Sequence, residues 1–354
     1  MKKVIFLAIA AAAALTACSK SEVVDSSVMN KAISFENYIG KDAQTKASVV
    51  EKDDIPFVYV NAYLHDKESV NGADFEATFM NKQEVTTDGS YSPMRYWPAE
   101  DQAIDFVAWV PETTKTDDAV TAVEKNITVK DATLTFTVPV EVTEQTDLIV
   151  SGSQLDMNGG NVSLVFQHLL SRIGFQINAA GLPNDAVTKV KLESIVLNGT
   201  FASKGTVNML AESPAITAVA EEVTTAYTLI GDHFGYTDNI IANGETTNND
   251  NAYIMLIPNT NVPDNITVTY KIETYNEDGE LAGTITNVKT FAIEEPYVAG
   301  YAYKYIFNVS LDAITFSVAV TPWEETTPDV EINPEDKPAT GGESEDPAQG
   351  EQGA

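Results

Sequence analysis

Along most of this chain, apolar and polar residues alternate one by one. Leu134, Phe136, Val138 and Val140 are separated by Thr135, Thr137 and Pro139. Successive side chains of a strand point to opposite faces, so a period of two gathers the apolar set on one face. The same alternation runs through Ile266, Val268, Tyr270 and Ile272, through Tyr301, Tyr303, Tyr305, Phe307 and Val309, and through Ile314, Phe316, Val318 and Val320. Asp88-Gly89, Asn158-Gly159-Gly160, Asn198-Gly199 and Asp278-Gly279 fall between such runs. They predict tight turns, because these residues tolerate the positive φ that hairpins require. Asp278-Gly279, between Thr267–Tyr275 and Leu281–Val288, is the clearest hairpin. Helical periodicity is nearly absent; Asp118 to Lys125 is the stretch expected to form two helical turns.

Many short strands without intervening helices predict antiparallel β-sandwiches, and there are too many for one. The chain is therefore expected to be all-β with two tandem sandwiches, at residues 47–155 and 156–325. The break is set in Ser151–Asn161, where the alternation lapses. Residues 19–46 read as a polar tether or propeptide, in which Ile33-Ser34-Phe35 alone has strand character. Residues 232–251 form a long polar loop. Residues 326–354, acidic and rich in Pro and Gly, are expected to be mostly disordered.

The N-terminus sets the compartment. Lys2 and Lys3 precede an apolar run, Val4 to Leu15, too short to span a bilayer, so residues 1–18 read as a signal peptide. The run ends in Leu15-Thr16-Ala17-Cys18, and Cys18 is the only cysteine of the chain. Small residues before a cysteine fit a lipoprotein peptidase, and Cys18 is the expected lipidation site, tying the precursor to the outer membrane. A formal net charge of -31 excludes nucleic acid as a partner, since phosphates demand a basic face.

Catalytic chemistry is not visible. His65, His168 and His233 are scattered, with none in a metal-ligand spacing, so no metal site or cofactor is expected. His168 continues the alternation of Val162, Leu164 and Phe166 and reads as a structural histidine. No nucleophile elbow, phosphate loop or dinucleotide fingerprint occurs. Carboxylate pairs such as Asp53-Asp54 and Glu221-Glu222 are commonplace in so acidic a chain. Asp238, Glu245 and Asp250 offer hard oxygen ligands, but the loop 237–251 lacks the order of a dedicated calcium loop. Tyr96-Trp97-Pro98 and Phe106-Val107-Ala108-Trp109 could stack on sugars or fill a core.

Taken in order, several motifs carry a resemblance: the lipobox, Thr45-Lys46-Ala47, Tyr96-Trp97-Pro98, Asp105-Phe106-Val107-Ala108-Trp109-Val110-Pro111, Asp147-Leu148-Ile149-Val150-Ser151, the run from Val162 to Phe175, and Ile314 to Trp323. The set resembles the fimbrillins (type V pilins, FimA-like and Mfa-like) of Bacteroidales over nearly the whole chain. That resemblance implies two transthyretin-like sandwiches and export as a lipoprotein. It also implies release of an N-terminal segment, after which a terminal strand of another pilin subunit fills the exposed groove. The implied cleavage falls between Lys46 and Ala47, where several such pilins carry arginine. An arginine-specific protease would discriminate against the lysine, whose ammonium lacks the bidentate guanidinium fit. The candidate donor strand is centred on Val330 and Ile332. The resemblance further implies adhesion to a host or bacterial surface ligand. A tip or anchor pilin and a monomeric glycan-binding lipoprotein are the alternatives.

Overall fold

A computed structural model of the chain describes residues 31–39, 55–67, 79–116, 119–183, 187–220, 222–249, 253–258, 262–310 and 313–322. Its strands, in chain order, begin with β1 (Ser34–Ile39), β2 (Phe57–Asp66), β3 (Met80–Thr86), β4 (Gln102–Trp109), β5 (Glu112–Thr116) and β6 (Ala119–Val123). There follow β7 (Ile127–Lys130), β8 (Thr133–Thr137), β9 (Ile149–Ser151), β10 (Gln154–Met157), β11 (Asn161–His168) and β12 (Ser171–Ala179). Next come β13 (Thr188–Ala202), β14 (Lys204–Asn208), β15 (Ile216–Ala218), β16 (Val223–Leu229), β17 (Thr246–Asn248) and β18 (Ile254–Leu256). The last are β19 (Asn265–Tyr275), β20 (Leu281–Ala292), β21 (Tyr301–Val309) and β22 (Ile314–Pro322). The described chain is all-β, with short 3-10 turns as its only helical elements.

The first sheet runs β1-β11-β9-β4-β2-β3, with β10 attached to β4. Its core gathers Val58, Val60, Ile104, Phe106, Val162, Leu164 and Phe166, together with Ile33 and Phe35. The later sheets, β17-β12-β21-β22 with β18 on β12, and β16-β13-β19-β20, contribute Phe175, Leu197, Tyr227, Val268 and Phe307 to a second cluster. Tyr63, Val107 and Trp109 of the first sheet also belong to that second cluster. Alternation on a strand explains this: Val107 and Trp109 face away from Phe106 and Ala108, so β4 is apolar on both faces.

The pairing differs from the expected division at residues 155 and 156. β11, beyond that point, is bonded to β1 and β9, while β7 and β8, before it, form a sheet with β14 and β15. Leu169 and Leu170, both buried, carry the chain from β11 in the first sheet to β12 in another. Residues 19–46, read as a tether, supply β1 to the first sheet. Such pairings link distant residues, which local periodicity does not report.

Two local expectations are corrected. In the stretch expected to be helical, Asp118 to Lys125, the described residues 119–125 are not: β5 and β6 form a two-stranded ribbon, with residues 117 and 118 outside the described set. Glu112 pins its base, accepting hydrogen bonds from the backbone N–H groups of Lys125, Asn126 and Ile127 and from the Asn126 side chain. Asn198-Gly199 is not a turn but lies inside β13, where the register against β16 shifts between Asn198 and Phe201. A Cβ on Gly199 would stand 2.9 Å from the Phe201 ring, which is why glycine suits this bulge. The hairpin at Asp278-Gly279 forms as the pattern predicts, joining β19 to β20 with Gly279 at φ 78.

Candidate strand-exchange site

β1 enters the sheet parallel to β11, with Ser34 opposite Asn161 and Ile39 opposite Phe166. The residues leading into it are held from the other side. The Ile33 N–H donates to the Arg95 carbonyl at 2.9 Å, and the Trp97 N–H to the Lys31 carbonyl at 3.2 Å. The Tyr91 hydroxyl donates to the Ile33 carbonyl at 2.9 Å. Residues 31–39 thus lie between β11 and the segment 89–97. Ile33 and Phe35 point into the core, 1% and 5% exposed, while Glu36 faces solvent. The Phe35 ring packs edge-on against Tyr91 at 5.3 Å and Phe106 at 5.8 Å, and Trp97 approaches Phe106 at 5.9 Å. These edge-to-face contacts suit the aromatic quadrupole.

Gly89 closes this wall. Its φ is 83, and a Cβ there would lie 2.4 Å from the Phe35 carbonyl oxygen, so the turn after β3 approaches β1 as only glycine allows. The Asp88 carboxylate accepts hydrogen bonds from the Thr86 hydroxyl and the Ser90 N–H, and these hold it below the usual carboxylate range.

The other sequence candidates divide. Cys18, Lys46, Ala47, Val330 and Ile332 lie outside the described residues. Trp97 and Trp109 are buried and belong to the core, whereas Tyr96 is half exposed. His168 Nδ1 lies 2.6 Å from Oδ2 of buried Asp147, whose Oδ1 accepts the Leu148 N–H, so this histidine ties β11 to the lead-in of β9. His233 Nδ1 accepts the Ile230 N–H. In the loop 237–251, Asn249 is fully buried and spends its side-chain oxygen on the Phe175 N–H, and Thr246–Asn248 forms β17 on β12. Asp238 and Glu245 do not join a group of three metal-capable side chains among the described residues, and Asp250 is outside them.

One grouping was not legible in the sequence. His65 on β2, Asp105 on β4 and Asp156 on β10 converge, with their nearest nitrogen and oxygen atoms all within 4.8 Å of one another. Burial opposes charging the His65 imidazole, but the Asp66 carbonyl and the Asp105 and Asp156 carboxylates outweigh it and raise its pKa above the ordinary value. The residues are 40 and 51 positions apart in pairs, and only the sheet order β2-β4-β10 unites them.

Residues 48–323, well over half of the chain, match the fimbrillin-like family, and the chain belongs to it. The family is fimbrial, of the cell surface, and structural rather than enzymatic. The fold is similar to that of a fimbrial protein from Bacteroides vulgatus, at 19% identity and a TM-score of 0.59, covering 83% of this chain and 100% of that one. Candidate cell adhesion proteins from Bacteroides uniformis (15% identity, TM-score 0.46, 82% of this chain and 98% of that one) and Bacteroides ovatus (13%, 0.46, 83% and 98%) are more distant in shape. No curated protein matches the chain.

Proposed function

We propose that this fimbrial subunit polymerises by exchanging the strand that fills the groove between β11 and residues 89–97. The observation that carries the reading is the place of β1. It lies upstream of Lys46-Ala47, yet its Phe35, with Ile33 just ahead of it, is a core residue of a sheet built from downstream strands. Cutting after Lys46 severs β1 from the rest of the chain. Its departure uncovers Val162, Leu164 and Phe166 and leaves a row of unpaired backbone groups on β11, the kind of edge that a foreign strand completes. The tail offers Val330 and Ile332 at the same spacing of two as Ile33 and Phe35. Burying two such side chains contributes about 1.5–3 kcal/mol each, and each ladder hydrogen bond about 1 kcal/mol net. A head-to-tail contact of this kind, whose rotation does not close a ring, propagates into a filament.

Export precedes assembly in this reading. Cys18 carries the lipid that anchors the precursor in the outer membrane, and the assembled form serves adhesion to a host or bacterial surface. The test is N-terminal sequencing of fibres sheared from cells, together with a chain lacking residues 327–354. A mature N-terminus at Ala47, and a folded truncated chain that stays monomeric, support the exchange. Fibres whose subunits still begin at Cys18, or truncated chains that polymerise normally, refute it.

A further inference from the structure

We propose that His65, Asp105 and Asp156 form a binding site for one divalent transition-metal ion of the Zn2+ or Mn2+ class. A tetrahedral site with metal–ligand bonds of about 2.0–2.1 Å separates its ligand atoms by about 3.3 Å. His65 Nε2 lies 3.2 Å from Asp105 Oδ1 and 3.6 Å from Asp156 Oδ1, which brackets that separation. The imidazole is oriented for the task. Its other nitrogen, Nδ1, lies 3.2 Å from the Asp66 carbonyl oxygen, an acceptor only, so Nδ1 carries the proton. Nε2 points at the Asp105 carboxylate, 3.2 Å away, so it faces the other ligand oxygens, and a metal-binding histidine is commonly held in this way by a carbonyl behind it.

The second observation is independent of that geometry. Asp105 is 1% exposed, and its Oδ2 has no hydrogen-bond partner. Its Oδ1 accepts the Asp156 N–H at 2.8 Å. A buried carboxylate oxygen without a partner is costly, and a cation beside it removes the cost. One imidazole with two carboxylates favours a borderline transition metal over Ca2+, which prefers six to eight oxygens. Asp156 is largely exposed, so ions and water reach the site from its side.

The ligands come from three strands, and this gives the ion a structural effect. Asp156 sits where β10 breaks register against β4, between Gln154 and Met157. An ion shared by His65, Asp105 and Asp156 fastens β10 to β4 and β2. Because β10 continues through Asn158-Gly159-Gly160 into β11, the strand that bears β1, it steadies the wall of the groove.

The site is tested on the untagged full chain after chelator treatment, by calorimetric titration with Zn2+ and Mn2+ and by thermal unfolding. Asp156→Asn changes an exposed side chain and leaves the fold intact, and His65→Gln removes the nitrogen ligand. Glu277→Gln, in the exposed turn after β19, controls for loose binding to an acidic surface. Saturable binding of one ion per chain is expected, with a raised unfolding midpoint, weakened about tenfold or more by Asp156→Asn or His65→Gln and unchanged by Glu277→Gln. Absence of saturable binding in the wild type would mean a hydrogen-bonded ion triad only and overturn the proposal. Equal weakening by Glu277→Gln and Asp156→Asn would overturn it too.

Discussion

Phe35→Ala offers the sharpest probe of the groove. Phe35 is 5% exposed and its ring meets Tyr91 and Phe106 edge-on. Deleting a buried phenylalanine ring costs about 3–5 kcal/mol. The loss falls on the docking of β1 rather than on the sheet, because β11 keeps its ladder with β9 when β1 leaves. At 1.4 kcal/mol per tenfold, the undocked population rises by about two to four orders of magnitude. Hydrogen exchange read by mass spectrometry reports this directly. Amides of residues 34–39 should exchange faster by that factor, while those of 102–109 in β4 keep their protection. If strand exchange drives assembly, the same variant should also polymerise without proteolytic cleavage. Equal acceleration in β4 would mean that β1 is integral to global stability. No acceleration in β1 would mean that Phe35 does not hold it, and either result would refute the reasoning.

Three further outcomes follow from other residues. Gly89→Ala places a Cβ against the Phe35 carbonyl at a φ of 83, and the strain of about 1–2 kcal/mol should speed exchange at residues 34–36 about tenfold. Glu112→Gln weakens the acceptor shared by three backbone N–H groups and one amide, and should lower stability in urea by about 1–3 kcal/mol. Burial pushes the Tyr227 and Tyr305 hydroxyls up to about 12, whereas an unfolded chain ionises near 10. The unfolded state therefore binds fewer protons above pH 10, so the stability from these tyrosines is intact below that pH and is lost as pH rises toward 12. Unfolding midpoints measured against pH should fall across that window while tyrosinate absorbance rises; a flat midpoint would show these phenols to be accessible.

What could be read in advance was what repeats locally. The β19–β20 hairpin follows from alternation on both sides of Asp278-Gly279, and β21 and β22 from runs of Tyr, Phe, Ile and Val at every second position. The misreadings share a cause. Val120-Thr121-Ala122-Val123 has the β-branched content of a strand, but its pairing with β5 and the Glu112 anchor decide the matter, and neither shows in a short window. Asn198-Gly199 carries a turn signature, yet β16 pairs with Leu197 and Asn198 before it and with Phe201 and Ala202 after it, keeping both sides in one strand. The site suffered most. β1 looks like a lone patch in a polar stretch until residues 127 positions later come to lie beside it. His65 lacks any neighbour in sequence that would mark it as a ligand.

The distance along the chain between β1 and β11 has a consequence for the order of events. The segment bearing β1 leaves the ribosome first, but its partner strand follows more than a hundred residues behind. Contacts so distant in sequence form late, since the loop between them must close before they yield any stabilisation. The first part of the protein to be made is thus among the last to be seated. Until then, the cleft it will occupy stands open as each subunit folds. Under the proposed exchange, a cell that makes many copies must keep the tail of one newcomer from the open cleft of the next, and anchoring each precursor apart on a membrane by its own N-terminus would do so.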